Sequence, residues 1–175
     1  MGKKAGNTTL DVDGLEFRRI FLAATAYLEQ NVEAVNSLNV FPVPDGDTGT
    51  NMLFTMREVN ASAKATKSNR VDVIARAMSY GALRGSRGNS GVILSQFFHG
   101  IAIGLDNMAA FSGQDLVEAL RLACEAAYTA VSKPVEGTML TVIRGAAQVA
   151  SDNTTPQSTV TEVWETSLAG AKEAL

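Results

Sequence analysis

Residues 90–105 read SGVILSQFFHGIAIGL, a run with a single histidine and no lysine, arginine or carboxylate. At 3.6 residues per turn, Val92, Ile93, Leu94, Phe97, Phe98, Ile101 and Ile103 fall on most sides of a helix rather than on one stripe. Such a helix needs neighbours all round, so the pattern predicts a central, buried element. The flanking sequence supplies the neighbours. Asp13 is a candidate cap for a helix over 15–37, with Phe17, Ile20, Phe21, Ala24, Leu28, Val32 and Val35 on one stripe. A second helix begins near Thr48–Thr50 and runs through Met52, Met56 and Val59 to about residue 66, and a third covers 71–83. Downstream, Ser112 caps a helix over 113–132 that Pro134 stops, another spans 138–151, and Thr159 or Thr161 starts one that runs to Leu175. No segment alternates with period two. The expected fold is all-α, a bundle of seven helices in one domain over 12–175, after a flexible tail over 1–11. The last helix carries no stop signal, so the chain is expected to be the N-terminal part of something longer.

The chain has 175 residues, 46% hydrophobic and 19% charged, enough for a sizeable core. Its net charge is −3, and Lys64, Lys67 and Arg70 form only a loose basic cluster, so no nucleic-acid partner is expected. No apolar run reaches the ~18 residues of a membrane span, and the polar start lacks a signal-peptide core. The lone Cys124 precludes an intrachain disulfide and fits a reducing compartment, so the expected location is the cytoplasm.

Two loops are chemically biased, 38–50 and 84–90, and a third, KPVEGTM at 133–139, is shorter and similar in style. The first lies within NVFPVPDGDTGTNM, Asn39 to Met52. Asp45 and Asp47 flank Gly46, which lets both carboxylates aim at one point. Carboxylates that close repel unless a cation sits between them, and Mg²⁺ commonly takes one or two carboxylates plus phosphate oxygens. An EF-hand is excluded, because its fifth and twelfth positions fall on Gly49 and Met56. Thr48, Gly49, Thr50 and Asn51 then open a helix whose free N–H groups and dipole attract anions. The competing reading is a proline-stiffened turn with an Asp or Thr helix cap. In RGSRGNSG, Gly85, Gly88 and Gly91 free the backbone, Asn89 and Ser90 supply small polar groups, and Arg84 and Arg87 are available to phosphate; no Walker A loop is present. Gly137 and Thr138 open a further helix. His99 is read as a core or helix-end histidine, and Trp164 and Cys124 as core.

The segments LNVFPVPDGDTGTNM, GALRGSRGNSGVILSQFFHGIA and AVSKPVEGTMLTVIR together resemble the nucleotide-binding L domain of the dihydroxyacetone kinases (the Dak L family). Within that family they are most similar to the N-terminal, nucleotide-binding domain of the bacterial fatty acid kinases. The likeness covers nearly the whole chain from about residue 12. It implies an antiparallel α-helical barrel of eight helices, about seven of them in this chain, with ATP or ADP bound at one end through two Mg²⁺ ions. It also implies phosphorylation of a fatty-acid carboxylate presented by a DegV-type fatty-acid-binding protein, giving an acyl phosphate.

Carried over residue by residue, the family's metal aspartates fall on Asp45 and Asp47. The nearest counterpart of a third metal-binding Asp is Asn39, an amide on a loop longer by one residue. The nucleotide contacts fall on Thr48, Gly49, Thr50 and Asn51, on Gly88, Asn89 and Ser90, and on Thr138 and Met139. No catalytic side chain is implied beyond these metal and phosphate ligands. The family's C-terminal turn, which completes the pocket, and the later domains that engage the carrier have no counterpart here, so turnover by this chain alone is less expected than nucleotide binding. A kinase component acting on dihydroxyacetone (glycerone), an ADP-holding regulatory domain and a homodimer all stay open.

Overall fold

The computed structural model describes residues 11–41 and 43–175; the tail expected over 1–11 lies outside the described residues except for Asp11, as does Pro42. A short strand β1 (Val12–Asp13) leads into α1 (Gly14–Gln30), α2 (Val32–Ser37), α3 (Thr48–Ala65), α4 (Val71–Gly85) and α5 (Gly88–Gly104). A second short strand β2 (Ala110–Phe111) is followed by α6 (Gly113–Thr129), α7 (Met139–Asn153) and α8 (Val160–Glu173). The fold is all-α, as the periodicity predicts, with eight helices among the described residues where seven were expected. The difference lies at Asn31. Its backbone leaves the helical region (φ −116°, ψ 10°), its N–H donates to Leu28 O at 2.9 Å, and its side-chain amide donates to Tyr27 O at 2.7 Å. Those bonds close α1 and let α2 set off anew.

A two-residue ladder was not expected. β1 pairs antiparallel with β2, Val12 opposite Phe111 and Asp13 opposite Ala110, which ties the start of α1 to the α5–α6 connection. Asp13 also caps α1 as predicted, its Oδ1 accepting from Leu15 N at 3.0 Å and Glu16 N at 2.9 Å. Ser112 caps α6 as expected, and of the two candidates Thr159 and Thr161 it is Thr159 that caps α8, each in a reciprocal capping box.

The core forms around α5, which packs on α3, α4 and α6. Phe98 meets Phe21 with ring centroids 5.0 Å apart, Phe21 meets Phe17 at 5.0 Å, and Phe17 meets Phe111 at 5.6 Å, so one aromatic chain joins α5, α1 and β2. Against α6, α5 presents Gly100 and Gly104, where a Cβ would fall 2.4 Å from Ala123 Cα and 2.5 Å from Ala119 Cα. Small residues on both helices therefore set how closely they approach. One expectation fails: His99 is exposed, because Val92, His99 and Ile103 share the outward face of α5, opposite its buried one. Cys124 and Trp164 are half-buried against the core, and burial pushes the Cys124 thiol up.

Candidate functional site

Each of the three loops turns on a glycine with left-handed backbone: Gly46 (φ +67°), Gly88 (φ +57°) and Gly137 (φ +74°). Each glycine stands at or just before a helix start, and the first turns of α3, α5 and α7 meet at one cavity of about 820 Å³. Its polar lining includes Asn39, Thr48, Asn89, Ser90, Lys133 and Thr138; Met52, Ile93, Phe97 and Leu140 are among the apolar residues of its wall. Of the residues singled out in the sequence, Asn39, Thr48, Asn89, Ser90, Thr138 and Met139 line this cavity, whereas Asp45, Asp47, Gly49, Thr50, Asn51 and Gly88 do not. A polar chain joins the first two loops. Thr48 Oγ1 donates to Asn39 Oδ1, Ser90 Oγ reaches Thr48 Oγ1 at 3.5 Å, and Asn39 Nδ2 holds Val43 O at 2.7 Å.

The N-terminus of α3 is built differently from the sequence expectation. Asp47 occupies the cap position, yet its backbone has ψ 1° and its side chain makes no cap bond. Asn36 of α2 does that work: its Oδ1 accepts from Gly49 N at 2.8 Å and Thr50 N at 3.2 Å, and its Nδ2 donates to Thr50 Oγ1 at 3.1 Å. With Asn51 N bonded to Asp47 O at 2.8 Å, the amides expected to stand free over 48–51 have acceptors, apart from that of Thr48. Of the three helix starts at the cavity, that of α5 is the uncapped one. Arg87 supplies no cap, and the amides of Gly88, Asn89 and Ser90 have no acceptor among the described residues. Gly88 also presses on the buried Asn51, where a Cβ would come within 2.5 Å of the Asn51 amide nitrogen.

Asp45 and Asp47 are exposed, and their carboxylates have no ion pair or hydrogen bond among the described residues. No group of three or more His, Cys, Asp or Glu able to hold a metal occurs among those residues. Two uncommitted carboxylates beside uncapped helix amides nevertheless suit Mg²⁺, which takes most of its remaining oxygens from water and phosphate. Arg84 turns away, toward Glu58 Oε2 at 3.5 Å and over the Tyr80 ring at 5.9 Å, and Arg87 donates to Ser86 O at 2.8 Å. Lys133 is instead the cation on the cavity lining among the described residues. Sequence reasoning marks its loop but not the residue.

The third loop is held by Glu136, whose carboxylate accepts from Thr141 Oγ1 at 2.7 Å, Arg144 Nη2 at 2.8 Å and Tyr128 Oη at 3.1 Å. Because Thr141 gives its proton to Glu136, its oxygen is left to accept Gly137 N at 2.8 Å, which fixes the turn before α7. The Thr141 hydroxyl, then Tyr128 and Arg144, hold the Glu136 carboxyl below the usual carboxylate range. A lowered folded-state pKa adds stability above the unfolded pKa and loses it as pH falls through the folded one. Glu136→Gln is therefore expected to melt below the wild type at neutral pH, with the gap closing on acidification past that lowered value. Thermal melts of both proteins from neutral pH downward check this, and a gap that does not narrow on acidification contradicts it.

With this geometry in place, comparison with known proteins places the chain. A family model described as the DAK2 domain matches residues 42–175. Protein YloV of Bacillus subtilis (strain 168) is 42% identical over 171 residues, which cover 94% of this chain and 31% of that protein. An uncharacterised protein of Staphylococcus aureus (strain USA300) is 39% identical over 164 residues, 94% of this chain and 30% of its own length. The chain thus spans less than a third of the curated relatives it matches. No helix among the described residues is long and apolar enough to cross a membrane. On the family match and these identities, the chain belongs to the DAK2 domain family, a kinase-related family.

Proposed function

We propose that this domain binds Mg-ATP and transfers its terminal phosphoryl group to a fatty-acid carboxylate presented by a separate fatty-acid-binding protein of the DegV type. The observation that carries the reading is the meeting of three glycine-led helix starts at one cavity, with the α5 amides uncapped and two carboxylates uncommitted beside it. Asp45 and Asp47 would hold the metal, with Asn39 as a third, amide ligand. Bound Mg²⁺ supplies charge neutralisation on the phosphates. The Gly88, Asn89 and Ser90 amides would donate to phosphate oxygens at the positive end of α5. Lys133 adds positive charge on the cavity lining, and the Thr48 and Ser90 hydroxyls bridge the loops. Catalysis of this kind is mainly positioning and electrostatics.

The choice of acceptor has its own support. The cavity lining carries no Asp, Glu or His among the described residues, so it offers a hydroxyl substrate no evident general base. A carboxylate is already ionised at neutral pH and needs none. A lining without a base is therefore compatible with an acyl acceptor.

Mg-ADP at about 100 times its Kd is expected to stabilise the domain by about 2.7 kcal/mol, or roughly 5–10 °C in Tm at this size. A melt that does not move rejects nucleotide binding. Acyl phosphate, trapped with hydroxylamine after incubation with ATP, fatty acid and its binding protein, tests the acceptor. Turnover with dihydroxyacetone and none with the acyl carrier would move the assignment to a triose kinase.

A further inference from the structure

In four of the helices the residue at the cap position does the capping, and its backbone is extended: Asp13 (ψ 174°), Ser112 (ψ 176°), Thr138 (ψ −177°) and Thr159 (ψ 161°). Asp47 is as good a capping residue as any of these, yet it sits at ψ 1° with its carboxylate unused. We propose that Asn36 is a positioning residue for the metal-and-phosphate site: by capping α3 from α2, it keeps Asp47 off the helix and leaves its carboxylate to a divalent cation. The inference rests on Asp47 being a metal ligand, as proposed above.

The surrounding structure is arranged for this substitution of one cap by another. The break at Asn31 sets α2 against the start of α3. A Cβ at Gly49 would lie 2.6 Å from Val32 O and 3.1 Å from Asn36 Oδ1, so only glycine there lets α2 come close enough. Asn36 then takes the two amides, Gly49 N and Thr50 N, that an Asp47 cap would use. Without Asn36 those amides lose their acceptor, and Asp47, at the cap position of α3, carries a carboxylate able to replace it. Rotation of ψ at Asp47 to the extended value seen at the other four caps would bring it there, at the expense of the metal.

A double-mutant cycle on stability, read without ligand, tests the exchange. In the Asn36 background Asp47→Ala is expected to leave Tm unchanged, because Asp47 caps nothing. Asn36→Ala should lower Tm modestly, since Asp47 takes over. The Asn36→Ala/Asp47→Ala double variant should fall further than the two single shifts added together. Additive shifts overturn the proposal. In the ligand arm, Asn36→Ala should weaken Mg-ADP binding by about 10–100-fold, the range for groups that orient metal ligands. Asn36→Asp keeps an acceptor oxygen and should bind near the wild-type level; equal affinity in Asn36→Ala and wild type overturns the proposal. If Asn36→Ala does not fold, Asn36→Ser is read in the same way. A wild-type chain that binds no Mg-ADP sinks the kinase reading instead, and the ligand-free cycle still decides whether Asn36 holds Asp47 off α3.

Discussion

Asp45→Ala is expected to lower Mg-ADP affinity by more than about 100-fold, beyond the range typical of groups that only orient a metal's ligands. Tm without ligand should barely change, because an exposed side chain without partners contributes within about 0.5 kcal/mol either way. The contrast between the two readouts separates a ligand role from a structural one. A turn-stabilising aspartate would show the reverse, lost stability and retained binding. Chelation of Mg²⁺ should bring the wild type down to the affinity of the variant, since both remove the same bridge between carboxylate and phosphate. Titration calorimetry with and without EDTA measures both, and wild-type affinity in Asp45→Ala would falsify the metal assignment.

Phe98→Ala carries the largest expected effect on stability. Phe98 is 1% exposed and lies 5.0 Å from Phe21 and 5.8 Å from Phe97 between ring centroids. Deleting a ring of this kind costs about 3–5 kcal/mol, through lost burial and the cavity left behind. At about 2–4 °C per kcal/mol for a domain of this length, Tm should fall by roughly 6–20 °C. Neighbouring rings relax poorly into such a gap, because Phe21 is itself held edge-on by Phe17, and Phe17 by Phe111. Phe98 does not line the candidate site, so Mg-ADP affinity measured well below the new Tm should match the wild type. A fall in Tm of less than about 2 °C, under 1 kcal/mol at this size, would mean that α1 is not docked through this aromatic chain.

The apolar run over 90–105 was enough to place α5 among its neighbours, and Ser112 and Thr159 marked their helix starts by type and position. The break at Asn31 was hidden because Val32 and Val35 keep the helical register of the preceding stripe, so periodicity carries straight across it. The β1–β2 pair is too short for an alternation to show. The apolar neighbours of His99 point to burial by composition alone, which cannot say which face of a mixed helix turns outward. At the site, the three loops and their glycines could be read from the sequence, since a left-handed backbone leaves glycine as its mark. Asn36 could not, as an asparagine within a helical stripe carries no sign of the distant amides it serves. The usable clue was Gly49, a glycine inside a helix start where nothing local calls for one.

The ladder between Val12–Asp13 and Ala110–Phe111 bears on where this unit can be cut. The family match opens at residue 42, after α1 and α2. A fragment starting there would retain the first turns of α3, α5 and α7 and would lack Phe17, Phe21 and Asn36. It would expose the Phe98 and Phe111 rings that α1 covers and leave the Gly49 and Thr50 amides without their acceptor. Residues 42–175, which the family model matches, are thus fewer than the piece that can close its own core, and that piece reaches back to the two residues that pair with β2.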